Sequence, residues 1–313
     1  MSSLLDDPTK ALTEYVSHPS VSADSSFSSG IDGARDFACE RLREIGFSVE
    51  LVETPINPVI LATRGEESWP HLVIYGHYDV QPPDPLDLWT TKPFEATVRE
   101  GRLFGRGAAD NKGPQVVHMT ALHRVLKENP NLPLRITYLI EGEEEIGSPS
   151  FRGFLEERKD SLRGDLLLVS DTGSPGPDQL AVTTGLRGLA AMEVKVFGPG
   201  QDLHSGVHGG ALLNPLQALM RVCTSLHDEK GNVVVPGFYE DVIPPEQWER
   251  DELKRLPLTE DKYAEFLGVS EFFSATGYSP LEAIRFCPTL EFNGVGGGYQ
   301  GEGSKTVIPA EAF

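Results

Sequence analysis

The 313-residue chain is 39% hydrophobic and 24% charged, which supplies apolar material for packed cores and excludes a disordered or fibrous class. Lys and Arg number 27 against 47 Asp and Glu, and the resulting net charge of −20 repels nucleic acid and anionic membrane surfaces. Cys39, Cys223 and Cys287 lie far apart with no C-x-x-C spacing, which argues against a disulfide framework and for a reducing, cytoplasmic setting.

In chain order, the opening stretch MSSLLDDPTKALTEYVS has neither a basic start nor an apolar core, so it reads as no secretory leader. Residues 8–17 and 31–46 have the spacing of amphipathic helices; the second ends at Gly46, and Cys39 within it reads as a small buried hydrophobe. Val49–Val52 reads as a short strand, and HLVIYGHYDV (71–80) as a buried one. A helix is predicted over 112–129, a strand over 134–145 running into acid, and another strand over 165–172. Such alternation predicts an α/β layer with a largely parallel sheet, at whose carboxyl-end rim ligands collect. Beyond residue 185 the pattern changes. A strand is predicted over 187–198, a helix over 211–228, loops and short helices over 229–285, and strand-like runs around a Gly-rich turn over 289–309. No apolar run is long enough to span a membrane.

The three apolar strands end in residues that bind metals. His77 and Asp79 are two apart, so they share a face; neutral His is a zinc ligand, and a carboxylate often fixes its tautomer. A strand-end His beside a turn Asp explains the same residues. Asp110, in the Gly-rich loop GRGAADNKG, can reach a metal or cap the following helix; the loop departs from a phosphate-binding G-x-x-x-x-G-K-[ST]. In EGEEEIGS, a continued strand would put Glu141, Glu143 and Glu145 on one face and Glu144 on the other, and crowded carboxylates call for cations unless they fan into solvent. Asp171 in SDT is a further ligand candidate or a turn residue. One imidazole and several carboxylates without thiolate suit hydrolytic zinc, manganese or cobalt. A paired site places two ions about 3.5–4 Å apart.

Six motifs, GHYDVQP, GRGAADNKGP, EGEEEIGS, SDT, DLHSGVHGG and GSKTVIP, run in order from about residue 70 to 309. Together they resemble the dinuclear metallopeptidases of family 20, in the branch of carnosine dipeptidase and Cys-Gly dipeptidase. The resemblance implies a metal-dependent dipeptidase, with an N-acyl-amino-acid deacylase or an inactive metal-binding fragment as alternatives. It implies two divalent ions, zinc first. His77, Asp110 and Asp171 would hold one ion, and Asp110 and Glu145 the other. Asp110 would bridge them ahead of a cis peptide to Asn111. Asp79 would orient His77, and Glu144 would be the base acting on the bridging water. His204 would steady the developing oxyanion from a partner subunit, and Thr306 would contact the substrate backbone. The Ser205-Gly206 pair argues against a helical zinc pair of His204 and His208.

The same resemblance implies a catalytic domain over 1–185 and an inserted α+β lid or dimerisation domain over 186–313, within a homodimer. It also implies that a last His ligand and a substrate-binding Arg lie beyond Phe313, so a missing C-terminal catalytic segment is expected.

Overall fold

The computed structural model describes residues 3–174, 176, 179, 181–273 and 277–313. It divides into two compact units, 1–173 and 174–313.

The first unit runs α1 Pro8–Val16, α2 Ser28–Glu44, β1 Ser48–Val52, β2 Val59–Arg64, β3 His71–His77, β4 Thr97–Arg99, β5 Arg102–Phe104, α3 Lys112–Glu128, β6 Arg135–Glu141, α4 Phe151–Arg158 and β7 Leu166–Val169. Its sheet has the order β1-β2-β6-β3-β7. The strands that carry the metal-type residues, β6, β3 and β7, run parallel, and β2 and β1 extend the sheet antiparallel. The expected α/β layer with a parallel functional part is what forms.

Strand β2 went unread in the sequence, yet it shows why the centre of this sheet is buried on both faces. Ile60 and Ala62 join the core that holds Ile74, Ile136, Tyr138 and Ile140 together with residues of α1, α2 and α3. Val59 and Leu61, on the opposite face, pack with Leu139 and Phe154 of α4. Side chains alternate along a strand, so a strand covered by helices on both sides is apolar at nearly every position.

The strand predicted over 134–145 stops at Glu141, and Glu144–Ile146 is a single 3₁₀ turn closed by Gly147 in the left-handed region (φ 86°). The turn cancels the alternation that placed Glu145 with Glu141 and Glu143.

The second unit contains β8 Val196–Phe197, β9 Leu203–His204, α5 Ser205–His208, α6 Pro215–Ser225, α7 Gln247–Arg255, α8 Glu260–Leu267, α9 Pro280–Phe286, β10 Val307–Ile308 and β11 Glu311–Ala312. Helix α6 starts where Asn214 accepts the N–H of Leu216 at 2.9 Å and Pro215 takes the first helical position, whose N–H needs no partner. It packs against β8 and β11, with Leu219 and Ala312 buried. The strand predicted over 187–198 is reduced to Val196–Phe197, the only part of it that pairs, with Glu311–Ala312, among the described residues. A strand needs a partner for its backbone groups, and apolar patterning cannot supply one. No helix among the described residues is long and apolar enough to cross a membrane.

Candidate metal centre

Parallel register builds the site. Strands β3 and β6 end together, His77 opposite Glu141, and the N–H of Tyr78 continues the ladder to the Glu141 carbonyl at 2.8 Å. Strand β7 stops at Val169, opposite Tyr75, so Ser170 and Asp171 emerge beside His77. The loop before α3 brings in Asp110 and Asn111, whose mutual peptide bond is cis. Asp110 does not cap α3, because its carboxylate turns to His77. Gly76 permits this close approach: a Cβ there would lie 2.8 Å from Asn111 Oδ1 and 3.1 Å from Gln115 Cγ.

His77 is fully buried at the centre. Its Nδ1–H donates to the Asp79 carbonyl at 3.0 Å, with Asp79 Oδ1 at 3.3 Å. On the other side, Nε2–H donates to Asp110 Oδ1 at 3.0 Å, with Asp171 Oδ1 at 3.6 Å and Glu144 Oε2 at 4.0 Å. Burial alone favours a neutral ring, but the hydrogen bonds to Asp110, Asp171 and Asp79 outweigh it and push the pKa up to about 12. Asp171 is held below its usual value, first by its hydrogen bond to His77. Asn111 Nδ2 orients it from 3.0 Å and donates also to the Ser170 carbonyl at 2.9 Å. Burial raises the pKa of both Glu144 and Glu145.

Two ligand-type groups result, each with donor atoms within 4.8 Å of one another: His77, Asp110 and Asp171, and His77, Glu144 and Glu145. Among the described residues no Lys or Arg forms an ion pair with any of these carboxylates. Four acids share one imidazolium, a charge deficit that a divalent cation fits, and the nitrogen and oxygen donors suit zinc, manganese or cobalt.

The remaining glutamates of EGEEE do other work. Glu143 is buried and accepts from Thr54 Oγ1 (2.8 Å), Asn57 N (2.9 Å) and Ser150 N (2.9 Å), strapping the turn to the β1–β2 connection. Glu141 is buried as well; it accepts from the Tyr75 hydroxyl at 2.7 Å, and burial pushes its pKa up to about 6. Neither fans into solvent.

Sequence reading missed Gln81, Ser22, Asn111 and Gln115. Ser22 Oγ donates to Asp79 Oδ2 at 2.7 Å, Gln115 Nε2 donates to the His77 carbonyl, and Gln81 grips Glu145. Gln81 and Asn111 lie inside motifs already singled out; nothing local marks Ser22.

In the second unit, β9 and β10 pair His204 with Val307, and Thr306 Oγ1 lies 3.1 Å from His204 Nε2. The N–H of Gly206 donates to His204 Nδ1 at 3.0 Å, so the ring proton sits on Nε2 and is given to Thr306. Residues Ser205–His208 do form one helical turn, contrary to expectation, but His204 caps it and forms no ligand group with His208 among the described residues.

Residues 73–263 match the model of Peptidase family M20/M25/M40. The chain belongs to this family. Beta-Ala-His dipeptidase of Homo sapiens is 36% identical over 262 residues, covering 83% of this chain and 52% of that protein. Cys-Gly metallodipeptidase dug1 of Schizosaccharomyces pombe is 31% identical over 322 residues, covering 98% of this chain and 68% of its own length. The crystal structure of an M20 family metallo-carboxypeptidase from Sulfolobus solfataricus superposes with a TM-score of 0.80 at 30% identity, over 98% of this chain and 69% of that one. The chain thus spans about half to two thirds of its M20 relatives.

Proposed function

We propose that this M20 chain serves a metal-dependent dipeptidase. The observation that carries the reading is the convergence of Asp110, Asp171, Glu144 and Glu145 on one buried imidazole, His77, at the carboxyl ends of parallel strands. The names of its human and fission-yeast relatives support a dipeptide substrate.

When bound, two divalent ions, zinc first with manganese or cobalt as alternatives, lower the pKa of water and polarise the scissile carbonyl. His77, Asp110 and Asp171 would hold one ion, and Asp110 and Glu145 the other. Asp79 receives the Nδ1 side of His77 and so keeps Nε2 aimed at the cluster. Glu144 takes a proton from the attacking water and passes it to the leaving amine; its burial-raised pKa suits a group that must both accept and give. His204 would turn its Nε2 proton from Thr306 to the developing oxyanion, and Thr306 would contact the substrate backbone. The reading includes a homodimer in which the partner's copy of this histidine serves the site. The widely separated cysteines support a cytoplasmic setting.

Glu144→Gln tests the assignment on the full-length polypeptide, with metal content by mass spectrometry and hydrolysis of dipeptides, N-acyl amino acids and longer peptides. The expected result is retained metal with turnover reduced about 10²–10⁴-fold. Unchanged turnover removes Glu144 from the reaction, and a wild-type preference for N-acyl amino acids or longer peptides overturns the dipeptidase reading.

A further inference from the structure

Resting on the two-ion reading above, we infer that Gln81 is a positioning residue that sets the carboxylate of Glu145 for the second ion. The stretch Asp79–Gln81 leaves the end of β3 and is anchored before it reaches the glutamates. Val80 is fully buried, bridges Val21, and gives its N–H to the Ser20 carbonyl at 2.9 Å. From that fixed base the N–H of Gln81 donates to Glu145 Oε1 at 3.2 Å. Its side-chain Nε2 donates to Glu145 Oε2 at 2.7 Å and to the Glu145 carbonyl at 3.4 Å. The N–H of Glu145 in turn donates to Asp79 Oδ2 at 3.0 Å. One short stretch therefore holds Glu145 through its backbone and through both carboxylate oxygens.

A carboxylate oxygen has two acceptor directions. One N–H on each oxygen leaves one direction on each free, so the carboxylate keeps its capacity for a cation while losing its freedom to rotate. Glu144 is held differently. Its N–H donates to Asp79 Oδ1 at 3.3 Å, and among the described residues no N–H or O–H donor pins its carboxylate as Gln81 pins that of Glu145; His77 Nε2 lies 4.0 Å from it. A pinned carboxylate suits a ligand, and an unpinned one suits a group that must carry a proton between two positions. Gln81 thus separates the roles of two adjacent glutamates.

The experiment titrates metal-free, full-length wild type, Gln81→Leu and Gln81→Ala with zinc and with manganese by competition calorimetry. Melting of the metal-free proteins and dipeptide turnover against metal concentration are measured alongside. Gln81 is exposed, so both variants should fold with unchanged melting. The expected result is a weaker ion bound about 10–100-fold less tightly, the tighter ion unaffected, and turnover restored by raising the metal concentration. Two ions bound with wild-type constants in both variants would overturn the inference. So would an equal loss at both sites with lowered melting, which marks a merely structural residue. Wild type that takes up no second ion sinks the two-ion reading itself, and this inference with it.

Discussion

Asp79 Oδ2 accepts the backbone N–H of Glu145 at 3.0 Å across 66 positions of sequence. Asp79 is fully buried, and its other oxygen takes the N–H of Glu144 and faces His77 Nδ1. One carboxylate therefore ties the imidazole of one strand end to the turn of the next.

Asp79→Ala should remove this tie. Two N–H donors lose their acceptor, at about 1–3 kcal/mol each where buried, and His77 loses its carboxylate support. Metal affinity should fall about 10–100-fold, read by calorimetry, and the unfolding midpoint should drop. Wild-type affinity in this variant would mean that the Asp79 carbonyl suffices to orient His77.

Asp110→Ala removes the carboxylate shared by both proposed ions. Both should be lost together, which mass spectrometry of the dialysed protein reads directly. Retention of one full equivalent would show that Asp110 serves a single ion.

At Gly206, an added Cβ would lie 2.9 Å from His204 Cε1 and 3.1 Å from Nδ1. Gly206→Ala must push the ring off its seat on the Gly206 N–H and away from Thr306. A displacement of about 1 Å in a reacting group can lower the rate about 100-fold. Steady-state dipeptide hydrolysis should show that loss in kcat with metal content unchanged; unaltered kcat would place His204 outside the reaction.

His118 gives a dependence on pH that is separate from the proposed metal ligands. Its Nε2 pairs with Ser170 Oγ at 2.8 Å, and burial lowers its pKa from the ordinary 6.5. The unfolded chain then binds this proton more readily than the native one. The group's contribution to stability is complete above the unfolded pKa and is lost as pH falls through 6.5 toward the lowered native value. Urea unfolding compared near pH 7 and about pH 5.5 should show a smaller loss in His118→Gln than in wild type. Equal losses would mean that the ring titrates alike in both states.

The donor types of the proposed centre were legible in the linear sequence. His77, Asp171 and the glutamate run stood at the ends of apolar segments and Asp110 in a Gly-rich loop, and their donor types favoured a hydrolytic metal. Helices α1, α2 and α3 and strands β3, β6 and β7 followed from hydrophobic periodicity and stop signals. What periodicity could not assign was the division of labour within EGEEE, which only the family resemblance suggested, since a strand and a 3₁₀ turn aim successive side chains differently. Only the folded chain seats Glu143 on Thr54 and Asn57, buries Glu141 against Tyr75, and leaves Glu144 and Glu145 at the cluster. Ser22, Gln81 and β2 were likewise settled by tertiary structure. Each depends on which strand lies next to which and in what register, and that choice follows from burying both faces of the central strands at once, a condition no local window contains.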